Sequence, residues 1–160
     1  MELFDRQARP LPAEALIVEA VSRYQNVGDQ RGLADAYRTY GLFFRSRTLA
    51  LANYAAHYRA KGFLDQAATY DGRYVRALYY LHLAEGILVT IDAADLLSNV
   101  YFHIGDVSVL SGDNSAACHY YAMSAKSQGE FRVTHPGRLS AGELANFDTA
   151  IASAQSHAGC

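Results

Sequence analysis

Asp71-Gly72-Arg73-Tyr74-Val75-Arg76-Ala77-Leu78-Tyr79-Tyr80-Leu81 returns 40 residues later as Ser111-Gly112-Asp113-Asn114-Ser115-Ala116-Ala117-Cys118-His119-Tyr120-Tyr121. Each stretch opens on a polar residue and a glycine and then runs on without a break, so a repeated helical unit is expected. Helical spacing of apolar residues extends in both directions from this pair. Ala15, Leu16, Ala20 and Tyr24 precede the stop signal Val27-Gly28-Asp29; Leu33, Ala36, Tyr37, Tyr40 and Phe44 form a stripe from Arg31 to Arg45. Val75, Leu78, Tyr79, Leu83 and Ile87 mark a further helix, as do Leu97, Val100, Tyr101, Ile104 and Val109, and then Ala117, Tyr120, Tyr121 and Met123. Helices this numerous and this short must pack on one another, so the fold class is all-α.

Composition agrees. The 160 residues are 51% hydrophobic and 19% charged, with three prolines, Pro10, Pro12 and Pro136, all away from the centre of the chain. Fourteen basic against sixteen acidic residues give a net charge of -2, too weak a field to steer the chain onto nucleic acid or an anionic membrane. The apolar run Leu78 to Ile91 is broken by His82, Glu85 and Gly86 and is too short to span a bilayer, so no membrane insertion is expected. Met1 to Pro12 carries acidic residues and no apolar core of a signal peptide, so the expected compartment is the cytoplasm, or the periplasm if a signal has been removed. Cys118 and Cys160 make neither a disulfide framework nor a zinc site by number or spacing, and Cys118 reads as a small core residue. Arginine outweighs lysine, which occurs only at Lys61 and Lys126; this suggests a GC-rich bacterial genome.

The repeat resembles the tetratricopeptide repeat family. Its second-helix signature, small–bulky–small at offsets zero, four and seven, is similar to Ala77, Leu81, Ala84 and to Ala117, Tyr121, Ser124; its first-helix signature is similar to Tyr37, Tyr40, Gly41, Phe44 and to Tyr101, Ile104, Gly105. Ala13, Ile17 and Ala20 stand 64 residues before Ala77, Leu81 and Ala84, and Gly41 stands 64 before Gly105. Tyr37 and Tyr101 replace the family's tryptophan, Ser108 departs from the aromatic position, and the proline that usually closes a repeat is missing. The resemblance implies a superhelix of antiparallel hairpins over residues 13–156, after a tail at 1–12, with an unpaired helix at each end. The interval of 64 in place of 40 implies an insert at about 46–71, with a turn at Lys61-Gly62. The insert either lengthens two helices into a projecting hairpin or places a separate helix, Thr48 to Ala60, across the stack. Tyr54, His57, Tyr58, Phe63 and Tyr70 in it would touch a partner or pack on their own domain. Gly129 to Arg138, with His135-Pro136-Gly137, reads as a turn-rich connection; Ser140 and Glu143 have capping-box spacing ahead of a final helix to about Gln155.

No Gly-rich phosphate loop, serine elbow, H-E-x-x-H or C-x-x-C is present, so the chain is not expected to be an enzyme or to carry a cofactor. His82, His103 and His119 with Asp106 fall on neighbouring helices and are weighed as a metal or noncanonical catalytic site; isolated surface or hydrogen-bonded histidines account for them as well. Glu14 with Glu19, and Asp92 with Asp95, could be paired carboxylates, but proximity to helix N-termini explains Glu14, Asp92 and Asp95 more simply. The family resemblance implies a concave groove lined by Asp35, Arg38, Leu42 and Arg45 and by Asn99, Phe102, Asp106 and Val109, a mixture suited to a protein or peptide ligand. The lysine and asparagine clamp that holds chaperone C-termini in some members is not matched. The function expected is a non-catalytic protein- or peptide-binding module: a bacterial adaptor, chaperone-like or immunity-type protein. A self-associating scaffold, with a homodimer formed through the unpaired end helices, is the alternative.

Overall fold

The computed structural model describes residues 10–47, 49 and 53–160, and among them it is all-α, with eight helices and no strand. These are α1 Pro10–Val27, α2 Gln30–Arg45, α3 Tyr54–Ala60, α4 Leu64–Asp71, α5 Arg73–Thr90, α6 Ala94–Ser111, α7 Asn114–Thr134 and α8 Ala141–Ala158. No helix among the described residues is long and apolar enough to cross a membrane. Two compact units are present, one ending at Ala84 and one beginning at Glu85. The expected tail lies outside the described residues up to residue 9, and Pro10–Pro12 already belong to α1.

In the first unit, α1 and α2 form a hairpin across Gly28, whose φ of +71° suits glycine. Asp29 caps α2 by accepting the Gly32 N–H at 2.9 Å. Leu33, Ala34, Ala36, Leu42, Phe43 and Phe44 of α2 are buried, the last three in succession, so its C-terminal half is covered on several sides. Helix α5 meets α2 at Gly41, where a Cβ would stand 2.6 Å from Leu81 Cγ and 3.0 Å from the Ala77 carbonyl oxygen. Only glycine permits that approach. Tyr40 stacks on Tyr80 with centroids 4.1 Å apart, and Phe44 lies parallel to the same ring at 6.0 Å. The apolar positions marking α5 in the sequence do not define its buried face. Val75 and Tyr79 are 73% and 54% exposed, while Ala77, Leu81 and Ala84 are fully buried.

The insert is a short hairpin of its own, α3 and α4, turning at Lys61-Gly62, and Arg59 pairs with Asp71 across it. A single residue, Gly72, separates α4 from α5, so α4 does not extend that helix. The hairpin packs on its own unit. Tyr58 stacks on Tyr70 at 5.6 Å, Tyr70 reaches Phe44 at 6.5 Å, and Arg73 donates to the Ser46 carbonyl at 3.1 Å. Thr48, at the expected start of a crossing helix, lies outside the described residues, as do Leu51 and Ala52; Phe63 and Leu64 at the tip are 51% and 65% exposed.

In the second unit, α6 and α7 form a hairpin through Gly112, at φ +86°, with Asp113 capping α7 by accepting the Ala116 N–H. At their crossing a Cβ on Gly105 would stand 2.5 Å from Tyr121 Cε1. Ser98 and Ser124, both fully buried, exchange hydrogen bonds: each hydroxyl donates to the other's carbonyl, at 3.1 and 2.8 Å. Buried hydroxyls are thereby satisfied without water. Helix α7 continues to Thr134, so Gly129 to Thr134 are helical rather than part of a connection, which runs from His135 to Ser140. The capping box forms as expected, and α8 runs past Gln155 to Ala158. Its Ile151 and Ala158 complete a core with Ala117 and Tyr121.

Two side-chain environments differ from those expected of the sequence. Cys118 is bonded to Cys160, because α8 returns along α7 and brings the last residue to the first turns of α7; a separation of 42 residues gives no sign of this pairing. Glu14, read as a macrodipole carboxylate, accepts the hydroxyls of Tyr40 and Tyr70 at 3.0 and 2.9 Å, one on each oxygen.

Candidate functional site

A cleft of about 370 Å3 opens in the second unit. Helix α6 contributes Asp95 and Asn99, one turn apart; α7 contributes Gln128 and Phe131; Arg138 and Leu139 come from the connection, and Glu143 and Phe147 from α8. The connection is anchored by His135, whose ring stacks on Phe131 with centroids 4.8 Å apart. Ser140 fixes the start of α8: its N–H and hydroxyl donate to Glu143 Oε2 at 2.8 and 2.7 Å, and its hydroxyl accepts the Glu143 N–H at 3.2 Å. Those donors, the backbone N–H first, hold the Glu143 carboxyl below its ordinary range.

Gln128 is the unusual member. It lies on the buried face of α7, one turn beyond Ser124, and is 5% exposed. Its carboxamide makes no hydrogen bond to any described residue, yet its polar atoms keep access to solvent, which at this position means the cleft. A carboxamide that faces a cleft and has no protein partner is free to exchange water for the polar groups of a ligand. Phe131 and Phe147 supply apolar wall, while Asp95 and Glu143 supply two carboxylates and Arg138 one guanidinium.

The residues implied for a groove fall into different environments. Asp35 and Arg38 pair with each other on α2 at 2.7 Å, and Arg45 is half-buried at its end. Leu42 is 3% exposed, part of the core, and cannot line an open groove, because the face of α2 that carries it is covered. In the second unit Asn99 lines the cleft. Phe102 is not exposed but wedged between Tyr121 and Phe147, at 5.7 and 6.4 Å, because α8 covers it. Asp106 accepts the Tyr121 hydroxyl at 3.0 Å, and Val109 packs against the core that α8 closes. His103 stands 3.8 Å from Asp106; no group of three His, Cys, Asp or Glu side chains suited to a metal occurs among the described residues.

Gln128, Phe131 and Arg138 were not singled out in the sequence as site residues. A signal for Gln128 was present: Ala117, Tyr121 and Ser124 define a buried face whose next position is a glutamine. A second polar centre, Glu14 with Tyr40 and Tyr70, belongs to the first unit. Burial, then the charge of Glu14, pushes both phenols well above their ordinary range, so they remain protonated donors. No protein-family model, curated protein or solved structure matches this chain.

Proposed function

We propose that the chain is a non-catalytic, tetratricopeptide-like helical-repeat module that binds a protein or peptide segment, and that the cleft of the second unit takes part of it. The observation that carries this reading is the buried, unpartnered carboxamide of Gln128 in an aromatic-walled cleft. A carboxamide offers N–H donors beside a carbonyl acceptor, the complement of a main-chain amide. Phe131, Leu139 and Phe147 then receive an apolar side chain, and the volume suits one side chain with its flanking backbone. The repeat reading is supported by the recurrence of the glycine crossings: Gly41 on Leu81, and Gly105 on Tyr121, each at the register shared by the two stretches. The disulfide favours an oxidising compartment, such as the periplasm, over the cytoplasm.

Selection of a displayed random-peptide library on the full chain tests this. Peptides bearing an aromatic or branched side chain should be enriched, and Gln128→Leu should weaken them about tenfold or more, the scale of one buried hydrogen bond. Absence of enrichment, or peptides indifferent to both Gln128→Leu and Phe147→Ala, would remove the cleft reading. Exposed Leu16, Val18 and Val27 on α1 favour a second reading, self-association. Light scattering of the chain alone decides it: a dimer mass reduced to the monomer by Leu16→Lys supports it, and a monomer at all concentrations dismisses it.

A further inference from the structure

We infer that the Cys118–Cys160 bond is a thiol-sensitive strap that holds α8 in place, so that its reduction opens the second unit locally and dismantles the cleft. Helix α8 is tied to α7 at both ends, by the His135–Ser140 connection before it and by the disulfide after it. Between these ties its inward face is thin. Ile151 and Ala158 are buried, Leu144, Phe147 and Ala154 are partly so, and the Arg132–Asp148 ion pair is too exposed to add much. Ile151 is the one large side chain of α8 that is fully buried, so the apolar area holding the helix down is modest. The connection holds Gly137 at φ +78°, a residue suited to act as the pivot.

Cys160 is exposed, whereas Cys118 is partly covered in the core that α8 closes. Attack therefore falls on the outer sulfur. A thiolate of a C-x-x-C-type dithiol attacks Cys160 Sγ, the sulfur–sulfur bond breaks, and Cys118 leaves as a thiolate that takes up a proton. The second thiol of the reductant then displaces Cys160 from the mixed disulfide. The bridge gains two electrons and two protons, and the dithiol departs as its own disulfide. Undocking of α8 withdraws Glu143 and Phe147 from the cleft and uncovers Phe102, Val109 and Tyr121. The strap stands on the packing of α8 alone; its control of a ligand rests on the peptide reading of the cleft.

Hydrogen exchange of the full chain, with and without dithiothreitol, tests the strap. Amides from Leu144 to Ala158 should exchange at least tenfold faster after reduction while those of α6 and α7 stay within twofold; oxidised glutathione should restore them. The double variant Cys118→Ala/Cys160→Ala should exchange in the same fast pattern and ignore the reductant. A smaller acceleration in α8, or equal acceleration across α6, α7 and α8, overturns the strap. Peptides bound equally before and after reduction, with α8 accelerated, overturn its control of the cleft while leaving peptide binding intact.

Discussion

Gly105 lies against the ring of Tyr121, with room for a hydrogen but not a methyl: a Cβ would stand 2.5 Å from Cε1 and 2.7 Å from Cδ1. Helix propensity alone would favour alanine at this position by about 1 kcal/mol. The crossing reverses that preference. Gly105→Ala should destabilise the second unit by about 1–3 kcal/mol, the usual cost of overpacking. Gly86, on an exposed part of α5 with nothing within 4 Å of its Cβ, is the control, and Gly86→Ala should stabilise by about 0.5–1 kcal/mol. Urea unfolding of the two variants measures both signs; two shifts of the same sign would contradict the crossing.

Leu42 and Arg38, neighbours in the groove that the family resemblance implies, should differ in what they contribute to stability. Leu42→Ala removes a core side chain and should cost about 2–5 kcal/mol. Arg38→Ala breaks a partly exposed pair with Asp35, a contribution of less than about 1 kcal/mol. Thermal melts followed by circular dichroism distinguish them.

Tyr40 and Tyr70 of the first unit make stability depend on alkaline pH, as do, in the same direction, Tyr101 and Tyr120 of the second. The folded pKa values of Tyr40 and Tyr70 are raised above the ordinary 10.0, by burial first and by Glu14 second. Below pH 10 the phenols are protonated in both states and their hydrogen bonds contribute in full. Above it the unfolded chain loses these protons while the folded chain keeps them, so stability falls as pH rises. The urea midpoint should therefore drop from about pH 10 upward, and Tyr40→Phe/Tyr70→Phe should flatten that slope. Tyrosinate absorbance of the native chain should show these two phenols titrating late.

Gln128→Leu separates ligand binding from folding. Replacing this amide with an apolar group of similar size should be neutral or stabilising, by up to about 1 kcal/mol, even as it weakens peptide capture about tenfold. A loss of more than about 1 kcal/mol in urea would mean that the carboxamide is already satisfied in the free protein.

Helix positions were legible because their stop signals are local: Gly28, Gly112 and the Ser140–Glu143 pair act on their own neighbours. Helix faces were less so. On α5 the large residues Val75 and Tyr79 point out while Ala77 and Ala84 are buried, because close crossing at Gly41 rewards small side chains over apolar bulk. The repeat register identified that face where hydrophobic periodicity did not. Of the cleft, Asn99 is legible from the repeat and Gln128 continues the buried face of α7, but Arg138, Glu143 and Phe147 join them only through the angle at which α8 returns, which no nearby residue encodes. The pairing of Cys118 with Cys160 has the same origin.

That bond also decides how the chain carries mechanical load. A pull between α1 and Cys160 passes from Cys118 straight through the sulfurs, leaving the rest of α7, the connection and α8 slack within a closed ring. The 42-residue separation hides roughly 140 Å of contour from the stretched chain. Single-molecule extension should therefore lengthen by about that amount when a thiol is added, so that the oxidised protein is the shorter tether under tension.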